Sequence, residues 1–190
     1  MHANGKSLYS WEKIPILMFC SYLLEIKAFL DLEELIEVNR MAVDTLPPDS
    51  RVINLRGSLT SHLGQLLLQV GKPAEGVEWL RKSYEIRSKD VPFKPRESAW
   101  AAGNLADGLA ANNNFPEAIK WHEKAHDHWL EWSNVHTSSP GSWPIGLKNS
   151  MAMNLIWAGP SEYKRARETI MQSKHEIDST EPFDWGFGAQ

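Results

Sequence analysis

The chain has 190 residues, a net charge of -4 and a sequence pI near 6.0, which gives room for one domain or one short repeat array with a substantial core. Nucleic acid is not expected as a partner, because phosphate binding needs clustered Lys and Arg and the balance here is slightly acidic. The single cysteine, Cys20, excludes an internal disulfide and fits a reducing, cytoplasmic setting.

The apolar run over residues 14–24 has the length of a signal-peptide core and follows Lys6 and Lys13. No small-x-small cleavage site comes after it, and Glu25 and Lys27 continue the pattern at helical spacing, so it reads as a helix. It is too short to span a bilayer, and no membrane partner is expected. Phe19, Leu23, Ile26 and Leu30 lay one apolar stripe along residues 16–30. Asp31, Glu33 and Glu34 open a second helix, acidic at the end where the helix dipole favours acids, and Pro47-Pro48 stops it. The first pair is thus 16–46.

A second pair is predicted over 57–88 with its turn at Gly71-Lys72-Pro73, and a third over 97–132 with its turn at Asn113-Asn114. A fourth, 149–177, turns at Gly159-Pro160-Ser161 after an enlarged loop over residues 133–146. Residues 179–190 carry Phe183, Trp185 and Phe187 and read as an aromatic tail outside the helices.

These pairs are copies of one another. Residues 71–84 are answered by residues 113–126, with Gly76 and Ala118, Trp79 and Trp121, and Ser83 and Ala125 each 42 apart. The small residue near the start of each second helix can be followed as Leu35, Gly76, Ala118 and Ala166, in steps of 41, 42 and 48. Repetition at such a period marks a solenoid, in which one pair cannot bury both of its faces and neighbours must stack.

The ordered residues Asn104-Leu105-Ala106, Leu109, Phe115-Pro116-Glu117-Ala118-Ile119 and Lys124-Ala125 resemble the tetratricopeptide repeat family, in the longer variant of kinesin light chains and many fungal and bacterial repeat proteins. Leu63-Gly64, Leu67, Gly71 and residues 76–83 are similar to a second copy. Residues 32–35 through Ala42 and Pro47 resemble a first, and Met151-Ala152, Leu155, Gly159, Tyr163 and Ala166 a degenerate fourth. The chain departs from the family in Leu35, in the missing first-helix aromatics and in the stretched last turn. The resemblance implies an all-α, right-handed superhelical array of about four antiparallel helix pairs, with the first helices on the concave side.

It also implies a groove lined by Ser58, Ser61, Gln65, Gln69, Trp100, Asp107, Asn149, Met153 and Trp157. Such a surface is rich in amides and aromatics and suits a peptide or protein partner. Chaperone-binding members of the family hold a terminal carboxylate with lysines and asparagines. Ser61, Gln65 and Gly103 stand at those places here, so that activity is not expected. The segment over residues 181–185 resembles the tryptophan-beside-acid segments that kinesin light-chain grooves take, which implies a tail that shields apolar surface or bridges two copies. A plain cap or a disordered end is the other reading.

His122-Glu123-Lys124-Ala125-His126 is a literal His-Glu-x-x-His, the spacing that places two imidazoles on one helical face to hold zinc. Both histidines fall in slots that point into packed helices, and no second metal motif accompanies them, so neither metal nor cofactor is expected. His122, His126, Trp129, Trp132, His136, Trp143 and Trp157 form the other candidate site, the wall of a small-molecule pocket with the 133–146 loop as a lid. Against that, the tryptophans serve equally to close the end of the stack. The reading is a non-catalytic interaction scaffold, with a small enzyme or metabolite binder over residues 121–157 as the alternative.

Overall fold

The computed structural model describes residues 31–46, 53–89, 93–135 and 143–179, of which 91% are helical and none is strand. With no sheet among the described residues, burial is helix against helix. Seven α-helices follow in order: α1 (Leu32–Thr45), α2 (Ile53–Gln69), α3 (Pro73–Ser88), α4 (Pro95–Ala111), α5 (Phe115–Val135), α6 (Trp143–Ala158) and α7 (Tyr163–Ser179). Each packs chiefly on its chain neighbours, the signature of a stacked array. α2–α3, α4–α5 and α6–α7 are the hairpins, and α1 precedes them and packs on α2. The helix expected over residues 16–30 and the tail at 180–190 lie outside the described residues.

The two central hairpins turn by the same local chemistry. Gly71 has φ +74° and Asn113 φ +59°, left-handed conformations that glycine and asparagine adopt at least cost. Lys72 N–H then donates to the Leu67 carbonyl at 2.8 Å, and Asn114 N–H to the Leu109 carbonyl at 2.8 Å. This is the six-to-one bond of a Schellman cap, made twice, 42 residues apart. Proline follows each turn, at the first position of α3 as Pro73 and the second of α5 as Pro116, where its missing N–H is not needed. The last turn differs. Gly159, at φ +119°, opens a 3-10 turn over Pro160–Glu162 before α7 begins. That insert lengthens the final step. The connection expected over residues 133–146 is shorter than its sequence suggests, because α5 runs on to Val135 and α6 begins at Trp143.

Small residues set the spacing. A Cβ on Gly64 would lie 3.0 Å from the Gly76 carbonyl oxygen, and one on Gly76 would lie 2.9 Å from the Gly64 carbonyl oxygen. The backbones of α2 and α3 therefore touch. Ala118 and Ala166, the matching positions of the next two hairpins, are buried as well. Between hairpins, Val77 and Leu80 of α3 close on Leu105 and Leu109 of α4, with Ala118 completing the cluster. Ile119, Leu155 and Ala166 form the corresponding seam at the last junction.

A periodic ion-pair ladder runs along the second helices. Arg40 of α1 meets Glu75 of α3, and Arg81 of α3 meets Glu117 of α5 at 2.7 Å. The third rung joins Glu123 of α5 to Arg165 of α7, with the charges exchanged. Arg40, Arg81 and Glu123 are separated by 41 and 42 residues, and Glu75, Glu117 and Arg165 by 42 and 48. These are the steps of the small-residue positions, so each rung occupies one slot of the repeat.

Candidate functional site

The first helices present a face that narrows to a cleft of about 320 Å³ between α4 and α6. Trp100, Gly103, Asn104 and Asp107 supply the α4 wall, spaced so that they share one side of the helix. Gly146, Leu147 and Ser150 supply the α6 wall, and His122 of α5 reaches in from behind. Gly103 and Gly146 keep the walls low, which is what opens space between two packed helices.

His122 is the unusual group. Its side chain is 1% exposed, yet neither ring nitrogen has a hydrogen-bond partner. Such a group retains a desolvation cost of about 1–3 kcal/mol. Burial pushes its pKa down to about 4, so the imidazole is neutral at pH 7 and carries one lone pair. Asp107 stands nearest, with Oδ1 3.7 Å from Nε2, beyond hydrogen-bond reach. The surrounding protein raises the Asp107 carboxyl to about 6. Since that side chain keeps 60% of its surface, solvent weighs more than burial, and the group is charged at pH 7.

Of the expected groove residues, Trp100 and Asp107 lie on this cleft. Met153 and Trp157 continue the α6 face that carries Gly146 and Ser150 and are exposed, Trp157 stacking on Phe115 with centroids 6.3 Å apart. Asn149 turns away, accepting from the Ser173 hydroxyl of α7 at 3.0 Å. On α2, the Ser61 hydroxyl accepts from Asn104 Nδ2 at 2.9 Å, and the Ser58 hydroxyl from Arg87 at 2.9 Å. Gln65 is half-buried and Gln69 exposed. Sequence reasoning did not place Asn104, Gly146, Leu147 or Ser150 at the site. The i, i+4 and i+7 spacing from Trp100 through Asn104 to Asp107 was the available signal.

The other candidate residues divide. His122 and His126 share a second cavity of about 390 Å³ with Glu123, Asp127, Lys148 and Thr169, between α5, α6 and α7. Lys148 is paired with Glu176 and Glu123 with Arg165. Burial lowers the His126 pKa, with Lys148 adding to it. Trp129 and Trp132 do not line this cavity; they pack on each other with centroids 4.7 Å apart, and Arg96 lies over Trp132. His136 and the side chain of Trp143 lie outside the described residues. Among the described residues no three His, Cys, Asp or Glu side chains converge as a metal site. No described helix is long and apolar enough to cross a membrane.

Fold and face together define an all-α helical repeat array with a cleft between its first helices. Residues 55–131 match the tetratricopeptide repeat model, and the chain has the fold of kinesin-light-chain-like tetratricopeptide repeats. Two crystal structures of a Podosopora anserina chain with nearly identical TPR-like repeats, of the kinesin light chain kind, superpose with TM-scores of 0.69 and 0.66. Each is 15% identical and covers 92% of this chain and 82% of that one. BtubC (BKLC) from P. vanneervenii is 12% identical with a TM-score of 0.73, over 89% of this chain and 66% of its own. No curated protein matches the chain in sequence. Arrays of this family are generally protein-interaction scaffolds.

Proposed function

We propose that this chain is a scaffold that binds an extended segment of a protein partner on the concave face formed by α2, α4 and α6. The observation that supports this reading is the α4–α6 cleft, which combines an exposed indole, a charged carboxylate and a buried imidazole without a partner. Aromatic faces take side chains and polar groups orient a backbone, the usual division of labour in peptide grooves. The histidine-lined cavity favours catalysis less. An imidazole near pKa 4 is a weak base at neutral pH, and the charged Lys148 and Glu123 are engaged in ion pairs.

The test is selection of random displayed peptides on the folded protein, followed by titration of the winners against the Trp100→Ala protein. Sub-millimolar peptides that weaken at least about tenfold against the variant are expected. Selection of no binder, or binders indifferent to Trp100, would remove this reading.

A further inference from the structure

The cleft between α4 and α6 carries a carboxylate on its α4 wall. Among the described residues its lining holds one acid, Asp107, and no Lys or Arg. Among the described residues, the only cation-capable group found within 4 Å of that carboxylate is the imidazole of His122, whose burial keeps it neutral. One amide N–H of Asn104 donates to the Ser61 hydroxyl. The Asp107 carboxylate and Nε2 of the neutral imidazole stand 3.7 Å apart with no hydrogen bond between them, and in the tautomer with its proton on Nδ1 both are acceptors. The exposed Trp100 indole forms the adjoining wall.

A ligand that satisfies this arrangement carries positive charge, has several N–H donors in a fixed plane, and presents a flat face to an indole. Guanidinium has all three properties: a rigid fork of five donors, a permanent charge and a delocalised plane that stacks on aromatics. An ammonium supplies charge without the plane or the fork. A carboxylate would meet Asp107 as a like charge. The volume of about 320 Å³ lies at the small end for a binding site and suits one long side chain.

Resting on the reading of this face as a peptide groove, we infer that the cleft takes an arginine side chain of the bound partner, its guanidinium donating to the Asp107 carboxylate and the His122 imidazole and lying against Trp100. The inference adds to a general peptide groove a stated specificity, arginine at one position of the partner, and gives the orphaned histidine a partner in the bound state.

The experiment uses the full chain and the displayed random peptides. Positional enrichment is read first. A selected peptide and its versions with lysine, citrulline or alanine at the enriched position are then titrated against wild type, Asp107→Asn and His122→Leu. One arginine is expected at a fixed position. Lysine should weaken binding about tenfold and citrulline more, because a charge-assisted bond carries more than a neutral one. Asp107→Asn, a change at an exposed residue, should leave the melting temperature unchanged and erase the preference for arginine over citrulline. His122→Leu should narrow the gap between arginine and lysine. Peptides that bind through Trp100 with no basic preference, or a preference that survives Asp107→Asn, would overturn the arginine assignment and leave the groove reading intact. Loss of all peptide binding would remove both. L-argininamide alone is the control for source. Affinity equal to that of the peptide would identify a free small molecule in place of a partner side chain and overturn the inference.

Discussion

Three helical glycines show how one atom decides a position. At Gly76 an added Cβ would press on the Gly64 carbonyl at 2.9 Å, and backbone cannot step aside. At Gly108 the added Cβ would press on Leu80 Cδ1 at 2.6 Å, with Val77 Cγ2 at 3.5 Å and Leu68 Cδ1 at 3.7 Å, all of them side-chain ends. Alanine is favoured over glycine in a helix by up to about 1 kcal/mol, which offsets a mild clash and not a rigid one. We expect Gly76→Ala to lose about 1–3 kcal/mol and Gly108→Ala to stay within about 1 kcal/mol of wild type, measured by urea unfolding. Equal losses at the two sites would refute the assignment of a backbone contact between α2 and α3.

His122 makes the second residue-scale case. Its pKa is about 4 in the folded protein and near 6.5 when unfolded, so the unfolded state takes the proton first as pH falls. The stability present above pH 6.5 is lost as pH falls from there through 4, by about 3 kcal/mol. Asp107 acts in the opposite sense. Its carboxyl is raised, so acid relieves the cost of its charge as pH falls through about 6, an effect that solvent screens because the side chain is exposed. His122→Leu removes two unpartnered nitrogens without orphaning another group. It should stabilise the fold by about 1–3 kcal/mol at pH 7 and flatten the decline toward pH 4.5. Denaturation curves whose midpoints fall in parallel for both proteins would contradict the burial argument.

At the scale of elements, the ion-pair ladder bears on register more than on stability. Each rung is partly exposed, with Arg81 and Glu117 side chains 40% and 34% accessible, and such pairs contribute roughly 0–1 kcal/mol. Hydrogen bonding from Arg81 lowers the Glu117 pKa, which marks the rung as formed. The exchanged charges at Glu123 and Arg165 mean that α7 would set Arg165 against Arg81 if it docked on α3 in place of α5. Like charges there disfavour the wrong neighbour. Arg81→Glu should cost up to about 1 kcal/mol by facing Glu117, and adding Glu117→Arg should restore most of it. A double-mutant cycle with no coupling would show that this rung is ornamental.

At the scale of the molecule, stacking leaves the ends less protected than the middle. α3 and α4 are covered on both sides, whereas α7 has neighbours among the described residues on one side only. Its outer surface shows Tyr163, Ile170, Met171 and Ile177 exposed. In the ladder, Met171 falls in the slot held by Arg81 and Glu123 in the preceding hairpins, by the same step of 48, so no further rung is offered. Opening free energies in such arrays rise with the number of interfaces. Native-state hydrogen exchange should therefore release the α7 amides first and those of α3 and α4 last. Uniform protection along the chain would indicate a single cooperative unit.

Among the described residues, the pairing of helices, their order and the places where the chain reverses were determined by the sequence alone, because they rest on local chemistry that recurs. Gly71 and Asn113 can adopt positive φ wherever they stand, and Gly76 and Ala118 leave room for a neighbour in any hairpin of this kind. The candidate site was only half legible for a different reason. Trp100 and Asp107 follow from helical spacing, but whether α6 shows Asn149 or Ser150 to the cleft depends on a rotation of about 100° about the helix axis. That rotation is set by packing on α5 and α7, through contacts such as Ser173 with Asn149. The enlarged loop was likewise shortened by two helices that extend into it. The meeting of His122 with Asp107, 3.7 Å apart across a hairpin and with neither imidazole nitrogen bonded, belongs wholly to the tertiary structure. A spacing of 15 residues in sequence carries no mark of it, since side-chain distance across a hairpin depends on how closely the two backbones approach and how each helix is turned.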